Sequence, residues 1–146
     1  MRFLVVITLI LFAGILSAQK NPVSWTFRVE HIKGDEYRFV ATANMQKNWK
    51  IYSLTEVEDG PVPTSFEFSK ATGCELLGSI SELTTGVKKF DQFFGVDVVT
   101  FSGIADFGVR LKKIGKAALI SGELEFMTCD DKSCLPPKSV PFEVAF

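Results

Sequence analysis

The sequence is poor in several residue types on which common functions depend. Histidine occurs once, as His31, which is too few for a histidine-based catalytic triad or a metal site with several histidine ligands. The 16 basic and 17 acidic side chains almost cancel, which predicts no basic surface for nucleic acid. Three cysteines in 146 residues are too few for a small disulfide-dense scaffold, and an apolar fraction of 47% is too high for a disordered chain. What remains is a globular chain of about one domain.

The N-terminus has the pattern of a secretory signal peptide. Arg2 provides a positive charge, residues 3–16 carry no charged side chain, and Ser17 and Ala18 are small residues at the end of this run. These fourteen residues are shorter than a helix that spans the ~30 Å hydrocarbon core of a bilayer. Residues 1–18 are therefore predicted to be a cleaved signal peptide, with an uncleaved membrane anchor as the alternative.

Cleavage after Ala18 would leave 128 of the 146 residues, numbered 19–146, which is enough for one hydrophobic core. It would remove one arginine and no acidic residue, so the formal net charge would change from -1 to -2. No later segment approaches eighteen consecutive apolar residues, so the mature form is predicted not to span a membrane. An exported chain reaches an oxidising compartment, in which paired cysteines persist as disulfides.

The mature sequence predicts strands and no helix. Apolar and polar residues alternate in segments 25–30 and 37–43, and Val140, Phe142, Val144 and Phe146 share one face of a final strand. Pro141 cannot donate a ladder hydrogen bond, which favours an edge strand or the start of a strand. The remaining β-rich runs are 49–54, 64–68, 96–107 and 117–128. About seven short strands separated by glycine-containing turns predict one all-β domain, an immunoglobulin-like β-sandwich over residues 19–146.

One aromatic cluster, Phe90-Asp-Gln-Phe-Phe-Gly95, breaks this alternation. Most phenylalanines in strands belong to a core. The adjacent Phe93 and Phe94 cannot both face the same core from one strand, because successive side chains point to opposite faces. One of them is therefore predicted to lie in a loop, over another feature of the molecule.

Cys129 and Cys134 are separated by four residues after a predicted strand. This loop can bring the two Cα atoms to within the 4.4–6.8 Å that a disulfide requires. A bond that closes so short a loop stabilises the fold by only ~2 kcal/mol, and short exposed disulfides are often labile or catalytic. A structural hairpin staple is the alternative that the spacing leaves open. The charges of Asp130 and Asp131 would disfavour a thiolate, and that of Lys132 would favour one.

A metal site is a weaker interpretation of the cysteines. Two thiols and His31 supply three soft ligands, whereas structural zinc takes four. Copper bound by Met127 and the two thiols is a further alternative. We predict neither a metal nor a cofactor. Cys74 has no neighbouring cysteine and is predicted to be a small, half-buried residue on a strand.

Three segments resemble one protein family. Phe126-Met-Thr-Cys129 and Cys134-Leu-Pro-Pro137 are similar to the end of the N-terminal periplasmic domain of DsbD, a transmembrane thiol–disulfide reductase. Trp49-Lys-Ile-Tyr52 and Asp91-Gln-Phe-Phe-Gly95 agree in the same order along the chain. The resemblance covers nearly all of the mature sequence and implies an immunoglobulin-like sandwich.

The resemblance also implies a role for individual residues. Cys134 would form a mixed disulfide with a partner, and Cys129 would resolve it. Phe93 would be an aromatic lid over the disulfide, Asp91 an acidic neighbour of the pair, and Tyr52 an aromatic residue lining the site. The complete implied cap loop is Asp91, Gln92, Phe93, Phe94 and Gly95.

The function implied is a periplasmic relay that exchanges thiols and disulfides. Electrons would pass from a membrane-embedded DsbD-type reductase to thioredoxin-like partners, including proteins of cytochrome c maturation. The C-x4-C spacing, Gln92 and Phe94 depart from the family pattern. Because the sequence ends at Phe146, we expect a monomeric stand-alone relay whose electron donor is a separate polypeptide. The alternative is an exported, non-enzymatic β-sandwich binding module with a structural hairpin disulfide.

Overall fold

The computed structural model describes residues 21–146, so the predicted signal peptide at residues 1–18 lies outside the described residues. The described chain forms strands and no helix, which confirms the prediction of an all-β domain. The strands are β1 (Val23–Lys33), β2 (Glu36–Met45), β3 (Lys50–Tyr52), β4 (Ser65–Thr72), β5 (Cys74–Glu82), β6 (Val87–Asp91), β7 (Val96–Ser102), β8 (Ile104–Lys113), β9 (Leu119–Phe126), β10 (Thr128–Cys129) and β11 (Lys138–Ala145). No helix of residues 21–146 is long and apolar enough to cross a membrane.

The strands pair into three antiparallel sheets, with the orders β1-β2-β8-β5, β11-β9-β4 and β10-β3-β7-β6. In the first sheet, large rings of β1 lie opposite small residues of β2, with Trp25 facing Ala43 and Phe27 facing Ala41. The turn between these strands contains Gly34 with a φ of +54°, a conformation that glycine adopts without steric cost. β11 is an edge strand, which confirms the position expected from Pro141.

Aromatic side chains fill the space between the first two sheets. Phe39 of β2 and Phe107 of β8 are fully buried, and Phe142 of β11 packs 5.0 Å from Phe39 between ring centroids. Trp25 lies against Phe107 in the same core. Burying one such ring contributes ~2–3 kcal/mol, so this packing accounts for much of the phenylalanine content of the sequence.

The strand predictions were wrong at three places. The run 96–107 is not one strand, because Gly103 turns the chain with a φ of +74° between β7 and β8. β5 was missed because most of its residues are exposed and Gly78, with a φ of +94°, lies where its pairing register shifts. β6 was missed because four of its five residues are exposed and show no alternation.

The third sheet has one face toward the core and one toward the candidate site. Ile51 of β3 and Phe101 of β7 join the hydrophobic core. Since side chains alternate along a strand, the neighbouring Lys50 and Tyr52 point to the opposite face. Cys129 of β10 is the cross-strand partner of Lys50 and so shares that face. The small sheet therefore places a cysteine, a lysine and a tyrosine side by side, outside the main core.

Candidate functional site

Cys129 and Cys134 are joined by a disulfide, as their spacing predicted. The two residues form an antiparallel β-bridge. The hydrogen bonds from Asp130 N–H to Ser133 C=O and from Leu135 N–H to Thr128 C=O flank the bridge. The Cα atoms of Cys129 and Cys134 are 4.0 Å apart, below the range expected from the spacing and closer to the ~4.5 Å of a non-hydrogen-bonded antiparallel pair.

The two sulfur atoms have different environments. Cys129 is 0% exposed and belongs to a hydrophobic cluster with Tyr52 and Val98. Cys134 packs against the same cluster but is only partly buried. A thiolate approaching from solvent therefore meets Cys134 first.

A buried network of polar groups lies beside Cys129. The hydroxyl oxygen of Tyr52 is 3.1 Å from Cys129 Sγ and 2.9 Å from Asp91 Oδ2. Lys50 Nζ donates to the same Asp91 oxygen at 2.7 Å. Because the hydroxyl has one proton and a carboxylate accepts more strongly than sulfur, Tyr52 donates to Asp91.

The network fixes the protonation of both groups. Burial raises the pKa of the Tyr52 hydroxyl far above its usual value, and the hydrogen bond to Asp91 and its charge raise it further. Burial alone would also raise the pKa of the Asp91 carboxyl, but hydrogen bonds from Lys50, Tyr52 and a backbone amide lower it below its usual value. Tyr52 thus remains a hydroxyl and Asp91 a carboxylate at neutral pH.

The segment predicted to be a cap begins at the end of β6. Asp91 is the last residue of the strand, and its carboxylate accepts a hydrogen bond from Phe93 N–H at 2.9 Å. Gly95 closes the turn with a φ of +71°, and its N–H donates to the carbonyl of Asp91. Gln92 is exposed at the tip of this turn.

The two adjacent phenylalanines of this turn have different surroundings. Phe94 is partly buried, packs against the cluster that contains Cys129, and contacts the Tyr52 ring edge-to-face at 6.0 Å. Phe93 is 46% exposed, with Lys50 Nζ 5.9 Å from its ring centroid. Both lie in the turn rather than in a strand, as expected of at least one of them.

Lys50 is a member of the site that sequence reasoning missed. Its position two residues before Tyr52 places both on one face of a strand, which was the available signal. Its partner Asp91 is far along the chain and on a strand that is not adjacent to β3, so the sequence alone does not pair them.

Among residues 21–146, no three His, Cys, Asp or Glu residues converge on a point at which they could hold a metal ion. Cys74 is buried at the start of β5, with Sγ 3.7 Å from the carbonyl oxygen of Leu119. Burial raises the pKa of its thiol. A protonated, buried thiol packs as a small apolar side chain.

A disulfide held on a hairpin of a β-sandwich, with one cysteine buried and the other partly exposed, fits a thiol–disulfide interchange domain. Residues 18–145 match the family described as "Thiol:disulfide interchange protein DsbD, N-terminal", and the chain belongs to this family. The predicted family is thereby confirmed. No curated protein sequence matches the chain.

Solved structures agree with this assignment in fold. The DsbD N-terminal domain of Neisseria meningitidis, in its reduced form, superposes with a TM-score of 0.52 at 19% identity, covering 82% of this chain and 88% of that one. The N-terminal periplasmic domain of ScsB from Proteus mirabilis gives a TM-score of 0.58 at 13% identity, covering 85% of this chain and 47% of that one. The DsbD N-terminal domain in complex with the PilB N-terminal domain, also from N. meningitidis, gives 0.50 at 17% identity, covering 82% and 80%. The predicted immunoglobulin-like β-sandwich is confirmed.

Proposed function

We propose that this domain is a thiol–disulfide relay, a protein-disulfide reductase component that passes electrons through Cys129 and Cys134. The observation that carries the proposal is the unequal burial of the two cysteines, since Cys129 is 0% exposed and Cys134 is only partly buried. An exchange reaction needs one sulfur that a partner reaches and a second, protected sulfur that completes the reaction. A staple has no such requirement.

The reaction proceeds in two balanced steps. In the dithiol form, the Cys134 thiolate attacks one sulfur of a partner disulfide, which forms a mixed disulfide and releases the other partner sulfur as a thiolate. The Cys129 thiolate then attacks Cys134 Sγ, which forms the intramolecular disulfide and releases the second partner thiolate. Two electrons pass to the partner, whose thiolates take up the protons that Cys129 and Cys134 lose. No cofactor takes part.

The neighbours of Cys129 limit unwanted reactions. In the dithiol form, the Cys129 thiol donates to the Tyr52 oxygen, whose own proton is directed to Asp91. A hydrogen bond made by the neutral Cys129 thiol favours that form, which keeps the resolving sulfur from reacting before the mixed disulfide has formed. Phe93, half-exposed on the cap turn, acts as a lid that excludes stray thiols. Phe94 and Tyr52 line the site, and Gln92 and Gly95 complete the turn.

The partners are thioredoxin-like proteins and a membrane-embedded DsbD-type reductase. The complex of a DsbD N-terminal domain with a PilB N-terminal domain supports a protein partner for this fold. Residues 1–18 act as a signal peptide that exports the domain as a periplasmic monomer, and the periplasmic domain of ScsB has the same fold.

A trapping experiment tests the relay. Cys129→Ser leaves Cys134 able to attack but removes the thiol that would resolve the mixed disulfide. When the variant is mixed with a purified, oxidised thioredoxin-like domain, we expect a covalent 1:1 species on a non-reducing gel that dithiothreitol releases. The matched variant Cys134→Ser retains the buried thiol and should form at least roughly tenfold less of this species.

A structural staple gives the opposite result. It predicts no trapped species with Cys129→Ser, together with a reduction potential below about -300 mV, the range of inert structural disulfides. That pair of results would refute the relay in favour of a binding module. Trapping with Cys129→Ser and a potential above that range would support it.

A further inference from the structure

The four residues between the cysteines form a turn closed by the side chain of Asp130. Its Oδ1 accepts hydrogen bonds from Lys132 N–H at 2.8 Å and from Ser133 N–H at 2.7 Å. The Ser133 hydroxyl donates to the same oxygen at 3.3 Å. Aspartate side chains that accept from backbone amides two and three residues later stabilise tight turns. The carboxylate thus ties the first and last residues of the turn together.

This turn matters most when the disulfide is open. In the oxidised protein the S–S bond holds Cys129 and Cys134 together. In the dithiol form the hydrogen bonds of the hairpin must do so, which are those of the Asp130 carboxylate and the two backbone bonds that flank the Cys129–Cys134 bridge, because β10 is only two residues long. Disulfide formation becomes more favourable as the effective concentration of one thiol at the other increases. A turn that stays closed after reduction therefore stabilises the disulfide relative to the dithiol.

We propose that Asp130 is a positioning residue that keeps the Cys129 and Cys134 thiols adjacent in the dithiol form and so sets the reduction potential of the pair. The inference deepens the proposed relay and rests on it for its biological meaning, because the potential decides which partners the domain reduces. Asp130 acts through the backbone of Lys132 and Ser133.

The alternative explanation for any effect of Asp130 is its negative charge, which would act on a thiolate through space. The sequence contains its own control for this, since Asp131 is the next residue, carries the same charge and is exposed. Asp130→Ala removes both the charge and the acceptor. Asp130→Asn removes the charge and keeps an oxygen acceptor at the same place. Asp131→Ala removes a neighbouring charge and leaves the Asp130 bonds intact.

The experiment equilibrates the purified mature domain with mixtures of reduced and oxidised dithiothreitol. In this exchange, the protein disulfide and one molecule of reduced dithiothreitol form the protein dithiol and one molecule of cyclic oxidised dithiothreitol. Alkylation of the free thiols followed by mass spectrometry then gives the fractions of reduced and oxidised protein at equilibrium. We expect Asp130→Ala to lower the equilibrium constant for disulfide formation roughly tenfold, the effect of losing side-chain bonds to turn amides. For a two-electron couple this is a potential about 30 mV less negative. Asp130→Asn and Asp131→Ala should stay within about twofold of the parent.

Any one of three results would overturn the inference. The equilibrium constant for disulfide formation could be the same in Asp130→Ala as in the parent. Alternatively, Asp131→Ala or Asp130→Asn could lower it as much as Asp130→Ala does. A thermal melt of each oxidised variant checks that the sandwich is folded. If Asp130→Ala does not fold, Asp130→Ser replaces it, since a shorter hydroxyl acceptor should give an intermediate shift. Absence of trapping with Cys129→Ser, one of the two results that together refute the relay, leaves the ratios of these equilibrium constants between variants unchanged, so the two proposals fail separately.

Discussion

Lys50→Met removes the cation that pairs with Asp91 and keeps a side chain of similar length and flexibility. The Asp91 side chain is 0% exposed and that of Lys50 is 12% exposed. The variant therefore leaves a carboxylate inside the protein with only Tyr52 and the Phe93 amide as hydrogen-bond donors. Removing one partner of a buried ion pair costs ~3–5 kcal/mol because the remaining charge is uncompensated. Since Lys50 keeps some contact with water, we expect a loss near the lower end, about 3 kcal/mol at pH 7.

The loss should depend on pH in a defined direction. In the parent protein, the folded pKa of Asp91 lies below its unfolded value near 3.8, so the stabilisation is fully present above that value and is lost as pH falls through the folded pKa. In Lys50→Met the cation is gone and burial remains, so the folded pKa of Asp91 rises and protonation stabilises the folded state. The difference in unfolding free energy between parent and variant should therefore shrink as the pH falls from 7 toward 4.

Urea unfolding of the oxidised domain at pH 7, 5.5 and 4 measures this difference. Lys88→Met is the matched control, because Lys88 is 73% exposed and lies 3.9 Å from Asp97. An exposed pair of this kind contributes at most about 1 kcal/mol. Combining Lys50→Met with Asp91→Asn should recover most of the lost stability relative to Lys50→Met alone. A loss below about 1 kcal/mol at pH 7, or one that stays constant across this pH range, would refute the buried ion pair as the element that holds the site together.

Two further outcomes test the disulfide and its lid. Reduction of the Cys129–Cys134 bond should lower the free energy of unfolding by about 2 kcal/mol, the chain-entropy value for so short a loop. Urea unfolding of the domain with and without reductant measures this difference. Loss of cooperative unfolding in reductant would show that the sandwich depends on the bond. Phe93→Ala should speed the reaction of the disulfide with 2-mercaptoethanol, followed by alkylation and mass measurement. Phe90→Ala removes a ring that is also exposed, 60% against 46%, but lies outside the turn, and it should not speed the reaction. Equal rates in both variants would contradict a shielding role for Phe93.

The parts of the fold that the sequence predicted are those with a local signal. Alternation identified β1, β2 and β11, because each buries one face against the aromatic core. β5 and β6 carry little of this signal, since they lie at sheet edges and expose most of their residues. Their place is decided by pairing with β8 and β7, an interaction between distant segments that periodicity does not report.

The same distinction applies to the site. The cysteine pair and the Phe93-Phe94 break are contained within a few residues and could be recognised directly. The Lys50–Asp91 pair depends on the order in which β3, β7 and β6 pair side by side in one sheet, and no local sequence pattern encodes that order. Asp130 is a different case, because its charge suggested an electrostatic role, whereas the structure directs its carboxylate to backbone amides of the same turn.

Aspartate side chains close both loops that border the disulfide. Asp91 accepts from the backbone of the cap turn, and Asp130 accepts from the backbone of the cysteine hairpin. Each loop therefore contains hydrogen bonds of its own in addition to the S–S bond. The hydrophobic cluster around Cys129 is also separate from the two clusters that form the sandwich core. Opening the disulfide is therefore expected to disturb the small sheet at the side of the domain while the sandwich core stays packed.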